Sequence, residues 1–282
     1  MFIPADKYIK IDSINTCYWA EGEGSPVVLL HGMGGSAAGW LPSLGAFESQ
    51  HRIYAPDLIG HGRTAKLDSD SGGFSDLVKF VHDFMTELKI DRAHIVGHSM
   101  GGAIALRFAM DHPERIGKMV LASSGGLGRE ITPLFRIMSI PVIGEILAAL
   151  NATSDVKKFG DNVRKGSKNP AKITDELIEI LFRIEQKPGQ YKTTLKFLRE
   201  GVNFLGQRPG YIGPILQGLP SLDLPILLIW GRQDDLVPFA HGEFAVKKLP
   251  TARLEVLDAC GHVPMFDQPE IFNRLVLEFL KD

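Results

Sequence analysis

This chain has almost no cysteine. Cys17 and Cys260 are the only two in 282 residues. They could pair only if the fold brought them together, so they are expected to be free and buried, as in a reducing compartment. Long apolar runs are missing as well. No stretch approaches the roughly 20 apolar residues that a bilayer-spanning helix needs, so no stable membrane insertion is expected. Neither sign of charge dominates: the formal net charge is −2, which gives no reason to expect nucleic acid as a partner. The first residues, Met1-Phe2-Ile3-Pro4-Ala5-Asp6-Lys7, lack a basic start followed by an apolar core. No secretory leader is read there, and a cytoplasmic location is expected. Internal repeats and low-complexity segments are also lacking.

What is present suits a globular enzyme. The composition is 44% hydrophobic and 23% charged, enough apolar residue for one large core. Apolar runs alternate with segments of helical period, which predicts a parallel sheet covered by helices. Tyr8 to Ile11 and Thr16 to Ala20 read as an opening hairpin, and Val27 to Leu30 and Arg52 to Ala55 as the next strands. Leu77, Phe80, Val81, Phe84 and Leu88 mark one face of a helix. Ile271, Leu275 and Phe279 mark a final one.

The run from Ala93 to Gly102 is the most informative. A short apolar strand leads into Gly97-His98-Ser99-Met100-Gly101, and an Ala-rich helix follows. A serine on so sharp a strand-to-helix turn projects its hydroxyl from the sheet edge. Gly97 and Gly101 lack the side chains that would crowd the turn. The helix start offers free N–H groups to a developing oxyanion. Such a nucleophile needs an acid and then a histidine later in the chain. The buried run Pro225 to Trp230 ends in Gly231-Arg232-Gln233-Asp234-Asp235, and the alternating run Arg253 to Leu257 ends in Asp258-Ala259-Cys260-Gly261-His262. Both loops open at carboxyl ends of strands, where open α/β sheets carry their sites. Ser99, Asp234 and His262 are therefore expected to converge. Asp235 is the neighbour that competes with Asp234. Asp57 is read as shaping the turn Gly60-His61-Gly62.

Five segments in order carry a resemblance: His31 to Gly35, Asp57 to Thr64, Gly97 to Gly101, Gly231 to Pro238, and Gly261-His262. The chain resembles the α/β-hydrolase-fold serine hydrolases. The resemblance implies a mostly parallel central sheet flanked by helices, with a helical lid inserted between the sixth and seventh main strands. Residues 1–125 and 223–282 would form the core and 126–222 the lid. It also implies Ser99 as nucleophile, Asp234 as acid, His262 as base, and the backbone N–H groups of Met33 and Met100 as the oxyanion hole. His31 would scaffold that loop. No metal or organic cofactor is needed for this chemistry.

The lid contains the apolar stretch Leu134 to Leu147. It could roof an acyl pocket, form the lid's own core, or touch a membrane surface. Leu134, Ile137, Met138 and Ile146 are the candidates for contact with substrate. Ser99 stands where the halide-removing and epoxide-opening branches of the fold use aspartate. Ser124-Gly125-Gly126-Leu127-Gly128 and Phe272-Asn273-Arg274-Leu275 resemble the hydrolases of ring-fission products. Those enzymes carry Asn where His98 stands, Trp where Val263 stands, and a lid arginine near Leu181, with Arg183 close by. A site without those polar groups suits an uncharged ester of short-to-medium acyl chain. A carboxylesterase acting on small-molecule esters, as monomer or homodimer, is the expectation. A carbon–carbon hydrolase of ring-fission dienoates and a triad-bearing ligand receptor are the alternatives.

Overall fold

In the computed structural model, residues 3–65, 73–185 and 190–281 are described. Met1 and Phe2, at the head of the segment weighed as a leader, lie outside them. The strands are β1 Lys7–Ile11, β2 Ile14–Glu21, β3 Pro26–Leu30, β4 Arg52–Pro56, β5 Ala93–His98, β6 Ile116–Ala122, β7 Val202–Asn203, β8 Gly206–Gln207, β9 Ile226–Gly231 and β10 Ala252–Leu257. The helices are α1 Leu41–Phe47, α2 Phe74–Glu87, α3 Met100–Asp111, α4 Pro133–Met138, α5 Ile143–Asn151, α6 Val156–Lys165, α7 Asp175–Glu185, α8 Gln190–Gly201, α9 Pro209–Gly218, α10 Ala240–Val246, α11 Pro264–Asp267 and α12 Pro269–Leu280.

Eight strands form one sheet in the order β1-β2-β4-β3-β5-β6-β9-β10. Only β2 runs against its neighbours; from β4 to β10 all pairs are parallel. Parallel strands are covered on both faces, so they tolerate continuous apolar sequence. Val27 to Leu30 and Ile226 to Trp230 are accordingly buried throughout. The edge strand β10 alternates and stays half-exposed. Leu30 pairs with Gly97, Gly97 with Leu121, and Leu121 with Leu228. Those strands therefore end level, and the loops after them open on one rim.

The helix faces follow the apolar spacing, with one correction. Leu77, Phe80, Val81 and Phe84 are fully buried on α2. On α12 the buried stripe is Phe272, Val276 and Leu280, one position beyond the expected Ile271, Leu275 and Phe279. Both series recur every four residues and both are apolar, so spacing alone cannot choose between them. Packing against Trp40 and Phe47 puts Phe272 inside and leaves Ile271 exposed.

Between β6 and β9 the chain leaves the sheet and forms a cap with six α-helices, α4 to α9, among the described residues. A small antiparallel pair, β7 with β8, lies within it. The sequence is read there as a helical lid with few strand signals, and two-residue strands are too short to show a period. The cap reaches both main cores, with Phe197, Ile215 and Leu219 in the one that holds α2 and α3. Ile173, Leu177, Ile178 and Leu181 join the core on the sheet face that holds α12, while Ile131, Leu195, Leu198 and Val202 form a small core of their own, with Phe135 and Met138 packed against it.

Candidate active site

Ser99 ends the turn between β5 and α3 with φ 53° and ψ −117°. A non-glycine residue rarely adopts a positive φ, and such strain persists only where the surroundings enforce it. They do so here. A Cβ on Gly97 would lie 2.5 Å from the Gly101 carbonyl oxygen, and one on Gly101 would lie 2.1 Å from that of Leu30. The Ser99 N–H donates to the Ala122 carbonyl, and its own carbonyl accepts from Gly125. The serine is thus clamped between β6 and the loop that follows. Gln207 braces that loop, accepting from the Gly126 N–H and donating to the Gly128 carbonyl.

His262 Nε2 lies 3.0 Å from Ser99 Oγ, and His262 Nδ1 lies 2.9 Å from Asp234 Oδ2. The other carboxylate oxygen, Oδ1, accepts from the N–H groups of Leu236 and Val237 at 2.9 and 2.8 Å. Burial pushes the Asp234 carboxyl upward, but the His262 ring and those two N–H groups outweigh it and hold the group below the ordinary range. Three expected residues therefore meet in hydrogen-bonded sequence. Asp235 turns outward and pairs with Lys168 of the cap.

Met33 and Met100 flank Ser99 in the same cavity. Met100 is the first residue of α3, so its N–H has no acceptor one turn earlier. The Met33 loop is held by His31, whose Nε2 accepts from the Leu58 N–H, leaving Nδ1–H to donate to the Gly32 carbonyl. Burial lowers the His31 pKa and keeps the ring neutral for that role. Asp57 is structural: it is fully buried and accepts from Ala37 and Arg63.

Two features had no clear sequence signal. His98 Nε2 donates to the His262 backbone carbonyl at 2.8 Å. Burial first, and the neighbouring His262 ring second, lower its pKa to about 3, so it is a neutral brace and not a base. Asp267 is fully buried behind the histidine loop. Its Oδ2 accepts from the Gly261 N–H at 2.6 Å; its Oδ1 accepts from Ser167 Oγ at 2.5 Å and the Lys168 N–H at 3.1 Å. One carboxylate thus ties the cap to the loop that carries His262. Cys17 and Cys260 are both free and buried. Burial raises each thiol to about 12, which makes them poor nucleophiles.

Two chambers meet at Ser99. The narrow one, about 40 Å³, has room for roughly three waters and is walled by Phe74, Phe197, Val202 and Tyr211, with Glu200 and Gln207 as its polar groups. The wide one, about 370 Å³, is walled by Trp40, Val163, Ile173, Leu181, Val263 and Phe266. Met33, Phe135 and Leu236 line both. Among the described residues no lysine or arginine lines either chamber, and Arg183 is exposed. Burial raises the Glu200 carboxyl, which accepts the Phe74 N–H. The apolar stretch of the cap supplies Phe135 to the walls. Leu134, Ile137 and Ile146 are exposed on the other side, and Met138 packs in the cap's own core. A six-residue helix such as α4 turns one face inward and presents the next residues to solvent.

Among the described residues no cluster of His, Cys, Asp or Glu has the arrangement of a metal site, and no helix is long and apolar enough to cross a membrane.

Comparison with known proteins places this geometry. The family model described as the alpha/beta hydrolase fold matches residues 25–269. A 2-hydroxy-6-oxo-6-phenylhexa-2,4-dienoate hydrolase of Burkholderia cepacia is 33% identical, over 92% of this chain and 88% of the relative. A 2-hydroxy-6-oxononadienedioate/2-hydroxy-6-oxononatrienedioate hydrolase of Comamonas testosteroni is also 33% identical, over 92% and 88%. The structure of the meta-cleavage product hydrolase CumD from Pseudomonas fluorescens superposes with a TM-score of 0.78 at 26% identity, covering 97% of this chain and 96% of that one.

Proposed function

Because the chain belongs to the α/β-hydrolase fold family and is related to the meta-cleavage product hydrolases, we propose that it hydrolyses a carbon–carbon bond beside a ketone. The observation that carries the chemistry is the position of Ser99, in hydrogen-bonded line with His262 and Asp234, where two chambers meet. A nucleophile there attacks a carbonyl with one arm in each chamber. His262 Nε2 takes the Ser99 proton as Oγ bonds to the carbonyl carbon. Asp234 holds the imidazole in the Nδ1–H tautomer and stabilises the imidazolium. The N–H groups of Met33 and Met100 receive the oxyanion, and each such donor is typically worth about 2.7–4 kcal/mol of barrier. Collapse breaks the carbon–carbon bond and leaves the electron pair on carbon. That carbon must be conjugated to a second carbonyl, which takes the charge as an enolate, and His262 returns the proton. Water activated by the same histidine then releases the acid from Ser99.

A second reading, ester hydrolysis, has one observation in its favour. Neither chamber is lined by a described cation, and Glu200 stands in the narrow one. A dienoate brings a carboxylate, and burying it without a cationic partner is costly. An ester brings none, and its alcohol leaves without needing an enolate. The comparisons favour the carbon–carbon reading over this expectation, since the relatives at 33% identity are named for dienoate substrates. Measurement of kcat/KM for the phenyl dienoate beside p-nitrophenyl esters from acetyl to hexanoyl decides between them. The proposal expects the dienoate to exceed every ester. The reverse order, with kcat/KM rising to butyryl or hexanoyl, transfers the assignment to an esterase. Stoichiometric release without turnover would make the chain a receptor.

A further inference from the structure

We propose that the outer face of the cap is a docking surface for anionic lipid, built from α4, α5 and the turn between β7 and β8. The starting point is α5. Its nine residues contain one charged side chain, Glu145, and that carboxylate makes two 2.7 Å bonds to Arg199. The helix therefore shows solvent an apolar and nearly uncharged surface. Ile143 is 40% exposed, Ile146 54% and Leu150 69%. α4 packs beside α5 and against β7. At the far side of β7 the turn exposes Phe204 and Leu205, at 63% and 62%.

This is not scattered surface hydrophobicity. Of the 14 large apolar residues exposed among those described, ten lie in the 126–222 segment, about a third of the chain. Val142, in the turn that starts α5, is 68% exposed and has φ 70°. A β-branched residue is strained there, and glycine or asparagine would fit at less cost. Exposed apolar residues gathered on elements that pack together, as α4 does with α5 and β7, mark an interaction site.

Charge selects the occupant. Segment 126–222 carries 14 lysines and arginines against nine aspartates and glutamates, while the rest of the chain carries 17 against 24. The near-neutral total hides a basic cap on an acidic body. Lys157 and Lys158 follow α5 within eight residues of Leu150, and Arg208 follows the β7–β8 turn; all three are exposed. Two copies meeting cap to cap would oppose like charges. An exposed apolar patch on a segment with this excess of base matches a lipid surface instead, where acyl chains receive the apolar side chains and anionic headgroups the lysines. Phe135, on α4, lines both chambers, so a docked cap would sit between lipid and Ser99. The inference stands apart from which bond Ser99 attacks.

The test is co-sedimentation of the full chain with vesicles of phosphatidylcholine alone and of equimolar phosphatidylcholine and phosphatidylglycerol. Binding is expected to the mixed vesicles and to fall with added salt. Val142→Asn with Leu150→Asn should abolish it; asparagine suits the positive φ, and neither residue lines a chamber, so turnover of a soluble ester should hold. Lys157→Gln with Lys158→Gln should weaken it by roughly 30-fold. Three results would overturn the proposal: no sedimentation with either vesicle, equal binding to both, or a dimer in light scattering that the asparagine pair dissolves.

Discussion

Asp267→Asn is the most revealing single change outside Ser99, His262 and Asp234. The carboxylate receives three donors: Gly261 N–H and, on the other oxygen, Ser167 Oγ and Lys168 N–H. Asparagine keeps the volume but offers one oxygen and one NH2. If its oxygen faces Gly261, its NH2 opposes the Lys168 N–H. If it flips, its NH2 opposes the Gly261 N–H. Either way one buried donor loses a charged acceptor, which costs about 1.5–3 kcal/mol. At roughly 2–4 °C per kcal/mol for a large domain, the melting temperature should fall by about 3–12 °C. Activity should fall further than stability suggests. Gly261 precedes His262, and a shift of about 1 Å in a reacting group costs on the order of 100-fold. Since Asp267 lines neither chamber, the loss should appear in kcat, with KM changed little. Stopped assays on whichever substrate the protein turns over fastest, with calorimetry on the same samples, give both numbers. An unchanged melting temperature and kcat in the Asp267→Asn variant would refute the view that the cap and the histidine loop are coupled through this carboxylate.

Two further outcomes follow from the site. Asp234→Asn should lower kcat by about four orders of magnitude with the fold intact, whereas Asp235→Asn removes one exposed ion pair with Lys168 and should change kcat little; steady-state kinetics in which Asp235→Asn did the greater harm would assign the acid to the wrong neighbour. His61 and His98 are held neutral down to about pH 3 by burial, so between their ordinary value near 6.5 and pH 3 the unfolded chain binds more protons and stability must fall as pH falls. Thermal melts should therefore show a falling melting temperature from pH 7 toward 5, and a flat profile there would contradict the buried neutral state of these rings.

Much of this site is legible in the chain because its signals are local. Gly97 and Gly101 announce a turn too tight for a Cβ, and the two later loops follow apolar runs that only a buried parallel sheet accommodates. The level ends of β3, β5, β6 and β9 do the rest. What stayed hidden depends on contacts remote in sequence. His98 has no motif that points it at the His262 carbonyl, 164 residues away. Asp267 is an acid whose partners are the Gly261 N–H and, about 100 residues away in the cap, Ser167 and Lys168. The pocket-facing residue of α4 was missed by one position, Phe135 for Leu134, because a helix of under two turns carries too little periodicity to set its phase. On α12 the same ambiguity moved the buried stripe from Ile271 to Phe272. In both places the phase is chosen by what the helix packs against.

The proposed reaction stands or falls with Ser99 as its nucleophile. Incubation with a fluorophosphonate, followed by intact-mass and peptide mass spectrometry, tests it most directly. One adduct per chain is expected, located on Ser99, with concurrent loss of turnover, and no adduct on Ser99→Ala. An adduct on Ser123 or Ser124, or full turnover by Ser99→Ala, would contradict it.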